Sequence, residues 1–63
     1  MAEKLVKYYE MVGEKGGLQL KMRLAMKTNI PSTKADSEPD SPENLEKFYE
    51  AVKEIIGADV PKL

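Results

Sequence analysis

Leu18-Gln19-Leu20-Lys21-Met22-Arg23-Leu24-Ala25-Met26-Lys27-Thr28 decides the fold, because two structural periods compete in it. Leu18, Leu20, Met22, Leu24 and Met26 alternate with Gln19, Lys21, Arg23, Ala25 and Lys27, the period of a half-buried strand. Its composition points the other way. Leu, Met, Ala, Gln, Lys and Arg favour helix, and the enrichment in β-branched and aromatic residues expected of a strand is missing. A lone strand would also need an edge to pair with, from a second chain. We read the segment as a helix, which makes the protein all-α, a small domain of three or four helices. The alternative is an α+β dimer with residues 18–26 as a strand. On a helix, Leu18, Met22, Ala25 and Met26 make one face, whereas Leu20 and Leu24 point well away from it. The first face is expected on the core. Leu20 and Leu24, with Tyr9, are then expected at an interface with a second copy or another protein. A simpler outcome is one core that absorbs both sides, with Met22 and Met26 as flexible gap fillers.

The helix that this segment must pack against has plain start and stop signals. Ser41 suits the cap and Pro42 the first helical position, and Leu45, Phe48, Tyr49, Val52 and Ile56 recur at helical spacing. Gly57 suits the left-handed stop, with Pro61 beyond it. Glu46, Glu50 and Glu54 form an acidic ridge on the same helix, while Glu43 and Lys47 are spaced to pair across one turn. Upstream, Glu3–Val12 is expected as a helix with Leu5, Tyr8, Tyr9 and Val12 on its packing side and Glu3 within reach of Lys7. Gly13 and Gly16-Gly17 then interrupt the pattern and form a connector. They are not a phosphate loop, which needs a longer glycine spacing followed by Lys and Ser/Thr.

Between the two helical regions, Ser32 is placed to cap a short helix over residues 33–36 that would bring Ile30 and Ala35 to the core. Asp36, Glu38 and Asp40, broken by Pro39, read as a solvated bend. They lack the glycine and terminal ligand of a calcium loop.

A chain of 63 residues allows one domain, here residues 1–63, with a limited core. It has no Cys and no His, which removes disulfides, thiolate metal sites and the commonest metal ligand and neutral-pH base. The net charge of −1 hides an asymmetry: six Lys/Arg and three Asp/Glu through Pro31, then four and eight from Ser32 onward. Such a dipole orients charged partners and weakens with salt. No apolar run is long enough to cross a bilayer and residues 1–17 lack the apolar core of a secretory signal, so the expected location is cytoplasmic. No catalytic, cofactor or metal constellation is present, and the protein is not expected to be an enzyme.

Leu24-Ala25 followed by Thr28, Ile30 and Ala35, then Pro42 and the helix over residues 45–56, resembles the rhythm of small helix-turn-helix repressors. The resemblance implies a second helix in the DNA major groove, with Ser32, Thr33 and Lys34 as base contacts and Lys21, Arg23 and Lys27 on phosphates. Asn29 stands where the turn glycine is more usual, Pro39 limits the reading helix, and Asp36, Glu38 and Asp40 would repel phosphate. The expected function is therefore noncatalytic protein interaction or self-association as a homo-oligomer, with nucleic-acid binding as the alternative.

Overall fold

In the computed structural model, which describes residues 3–57 and 60–63, α1 spans Glu3–Thr28, α2 Ser32–Ala35 and α3 Pro42–Ile56. The protein is all-α, and there is no strand among the described residues. The ambiguous segment over residues 18–28 is helical, which removes the alternative of a strand at residues 18–26.

α1 is two arms rather than one rod. A straight helix of 26 residues would run about 39 Å, yet the longest extent of the molecule is 25 Å. The helix breaks at Gly16 (φ −150°, ψ 16°) and Gly17 (φ 65°, ψ −148°), and residues 18–28 fold back across residues 3–15. The Gly17 conformation lies beside a region open essentially to glycine alone. The first arm was expected to stop at Val12, but it continues through Gly13, Glu14 and Lys15. Gly13 sits where the arms approach: a Cβ there would fall 2.5 Å from Lys21 Cε. A helical glycine costs about 1 kcal/mol relative to Ala, and here it leaves room for the Lys21 stem.

Leu5, Tyr8, Tyr9 and Val12 all reach the core, as their spacing requires, and meet Phe48, Ala51 and Val52 of α3. The Phe48 ring is central. It lies 6.2 Å from the Tyr8 ring, tilted by 36°, and 5.7 Å from the Tyr9 ring, edge-on at 73°, both within the range of favourable aromatic pairs. Leu45, Tyr49 and Ile56 are half-buried around that centre.

Of the face expected inward on the second arm, only Ala25 packs partly against the core. Leu24 is completely buried and Leu20 packs partly against the core, whereas Leu18, Met22 and Met26 face outward. Thr28 is the reason the pattern misleads. The buried stripe runs Leu20, Leu24, Thr28, and its last member is polar, so an apolar pattern omits it. Thr28 is satisfied in place: its Oγ1 donates to the Leu24 carbonyl at 2.8 Å and accepts from the Ile30 amide at 3.3 Å.

The arm then ends on Asn29, whose φ of 61° is left-handed and whose N–H donates to the Ala25 carbonyl at 2.8 Å. Asn is the usual substitute for glycine at such a stop. The Tyr9 hydroxyl donates to the Ile30 carbonyl and clamps this turn to the first arm. α2 brings Ile30 and Ala35 inward as expected. It starts one residue early: Pro31 occupies the cap position, Ser32 is already helical, and no side chain caps the turn.

The remaining ends are closed by side-chain and backbone groups. The bend is exposed at Asp36 and Pro39 as expected, and at its end Asp40 Oδ2 accepts from the Lys4 amide at 3.2 Å, satisfying a donor in the first turn of α1. Ser41 Oγ accepts from the Asn44 amide at 3.2 Å, and Gly57 (φ 68°) stops α3 with its N–H on the Lys53 carbonyl at 2.8 Å. Beyond it, the Tyr8 hydroxyl donates to the Pro61 carbonyl at 3.5 Å and accepts from the Leu63 amide at 3.0 Å.

Candidate functional site

The surface that remains for a partner is the outward stripe of the second arm. Leu18 is 72% exposed, Met22 58% and Met26 79%. They repeat every fourth residue, so they lie along one side of the helix over about 12 Å. Met22 and Met26 share a shallow open concavity with Gln19, Arg23 and Lys27. Residues 18–28 contain three cations and no carboxylate, but Glu10 and Glu14 line a concavity with Leu18 and Lys21, and Glu54 lies beside Lys27.

Of the expected interface residues, Tyr9 and Leu24 are core residues and only Leu20 is even partly accessible. Tyr9 therefore acts inside the fold: burial raises its pKa, an effect opposed by its hydrogen bond with Thr28. The expected phosphate contacts do not form one patch. Lys21 shares a separate concavity with Glu10 and Glu14 near the elbow. Lys27 Nζ lies 3.3 Å from Glu54 Oε2, with both side chains accessible to water, an arrangement that contributes little stability. Arg23 forms no ion pair among the described residues. Neither Glu3 with Lys7 nor Glu43 with Lys47 closes as an ion pair. Ser32, Thr33 and Lys34 are exposed on the one-turn α2.

The exposed stripe carried a chemical signal that spacing alone did not use. The inward positions are Leu20 and Leu24, while two of the three outward ones are Met, a flexible and polarizable residue that suits adaptable binding surfaces. No family model, curated protein or solved structure gives a match to this chain. Among the described residues, no helix is long and apolar enough to cross a membrane.

Proposed function

We propose that this protein is a noncatalytic interaction domain that docks a protein chain on the outward stripe of its second arm. The observation that supports this is the alignment of Leu18, Met22 and Met26, all more than half exposed, on a helix whose opposite side is locked into the core. Each such side chain contributes about 1.5–3 kcal/mol when fully buried. Together they are of the same order as the roughly 4–15 kcal/mol that association costs. The stripe thus suits a reversible contact that draws additional affinity or orientation from its rim.

A photocrosslinking residue at Gln19, beside the stripe, tests the proposal in the protein's own cellular extract. Specific protein adducts should form and disappear when Met22→Glu and Met26→Glu are combined, with the thermal melt unchanged. An identical adduct pattern in that variant would sink the proposal.

The helix-turn-helix reading has less support. A four-residue α2 is about 6 Å long, short for a helix that must lie along a groove and present several side chains to bases. Lys21 and Lys27 also have carboxylates nearby, which oppose the phosphate field.

A further inference from the structure

We propose that Gly16 and Gly17 are a hinge at which α1 can straighten, so that two copies exchange first arms and form a domain-swapped dimer. The proposal goes beyond the docking surface and does not rest on it.

The hinge is minimal. Of the 26 residues of α1, only Gly16 and Gly17 depart from helical backbone angles. Straightening therefore changes the torsions of two residues and leaves both arms as they are. The sequence also suits the straight form. Val12, Gly16, Leu20 and Leu24 follow one another at intervals of four, so a packing stripe runs through the elbow.

The first arm is attached in a way that a second copy can reproduce. Among the described residues, its hydrogen bonds outside its own helix all reach past the elbow: the Tyr9 hydroxyl to Ile30, the Lys4 amide to Asp40, and the Tyr8 hydroxyl to Pro61 and Leu63. Its apolar side chains likewise pack on Phe48, Ala51 and Val52 of α3. A first arm from another copy can make each of these contacts unchanged. What differs between the two forms is the elbow.

The two glycines set that balance, each for a separate reason. In the bend, Gly17 has a φ of 65°, which L side chains rarely adopt, and a Cβ on Gly16 would fall 2.5 Å from Leu20 Cγ and Cδ1. A straight helix removes both obstacles to a side chain, yet glycine is the poorest helix former apart from proline. The wild-type sequence thus permits the bend and penalises the rod, which keeps the monomer dominant when the protein is dilute. Short connections under strain invite such an exchange as concentration rises. Met22 and Met26 lie outside the exchanged contacts, so the dimer displays the outward stripe twice.

The test replaces both glycines at once. Gly16→Ala with Gly17→Ala removes the freedom that the bend needs and favours the straight helix by about tenfold per elbow. A dimer contains two elbows, so its dissociation constant should fall roughly a hundredfold or more relative to wild type, read as a concentration-dependent mass in sedimentation. Refolding a mixture of isotope-labelled and unlabelled variant then reveals the exchange itself. Isotope-filtered NOE spectra should show the Tyr8 and Tyr9 rings of one copy against the Phe48 ring of the other. A folded variant that stays monomeric overturns the proposal. So does a dimer in which Tyr8 and Tyr9 contact only their own Phe48, because another surface then holds it together. If the variant does not fold, the wild type decides. Refolded from urea at millimolar concentration, it should yield a dimer with the same intermolecular ring contacts that returns slowly to monomer after dilution. A wild type that refolds only to monomer, or to a dimer without those contacts, overturns the proposal.

Discussion

α3 and the second arm of α1 are both amphipathic helices, but only α3 announces which way it faces. Its start is fixed by Ser41, its stop by Gly57, and its hydrophobic residues gather around Phe48 and Val52. The second arm carries apolar residues on two sides of comparable character, Leu20 with Leu24 against Leu18 with Met22 and Met26. Local chemistry makes both segments helical. Which side of the arm turns inward depends on what else the chain offers it: the Lys21 stem fits over Gly13, and the buried Thr28 hydroxyl satisfies its own backbone.

The largest effect should come from the helix with the unambiguous face. Phe48→Ala removes the ring that Tyr8 and Tyr9 both touch and is expected to cost about 3–5 kcal/mol. Small cores rarely supply more than about 3–5 kcal/mol in total, so cooperative urea unfolding should disappear, and Phe48→Leu should show a measurable fraction of the loss. A Phe48→Ala variant with a near-native midpoint would mean that α3 does not centre the core. The decisive comparison within the arm is next. Leu24→Ala should cost about 2–4 kcal/mol as a fully buried leucine. A neutral result would restore the opposite orientation.

Gly17→Ala tests the elbow that allows the arm to face inward at all. At φ 65°, ψ −148° the substitution should cost about 1–3 kcal/mol, read as a lower melting temperature. If the melt is unchanged, the break is not held by glycine's backbone freedom. Tyr9→Phe removes the donor to the Ile30 carbonyl and should cost about 1–2 kcal/mol. Its pH dependence has a definite sign. Because burial raises the Tyr9 pKa, the folded state holds the phenolic proton more tightly than the unfolded state. That stabilisation is complete below the unfolded pKa, about 10, and is lost as pH rises through the higher folded pKa. The wild type should therefore lose stability faster than Tyr9→Phe in alkaline melts, and parallel curves would contradict this role. Least affected should be Met22→Gln and Met26→Gln, each within about 0.5 kcal/mol. A large loss at either would mean that the outward stripe is core.

The first arm was legible because Leu5, Tyr8, Tyr9 and Val12 leave only one side for packing, and α3 because its face agrees with its cap and stop. Gly13 misled in the opposite sense. A glycine reads as a break, but here it is a contact point between arms, knowable only from its neighbour Lys21 across the elbow. For the candidate surface, the segment was identified and the side was not. Thr28 belongs to the inward stripe through hydrogen bonds that no hydropathy pattern records, and Asp40 is bound to the distant Lys4 amide rather than free in a bend.

The reach of these ties bears on the order in which the molecule assembles. The Tyr8 hydroxyl bonds to groups 53 and 55 residues further along, and Asp40 closes on an amide 36 residues back. A helical protein held by such non-local contacts must close large loops before its side chains gain their partners, which slows folding relative to bundles of neighbouring helices. On the ribosome, residues 3–28 emerge ahead of α3 and can wind their backbone bonds within microseconds. Leu5, Tyr8 and Tyr9 then have no ring to pack against until Phe48 has left the tunnel. Until then Leu24 and the first arm lack the α3 side chains, Phe48, Ala51 and Val52, that complete their core.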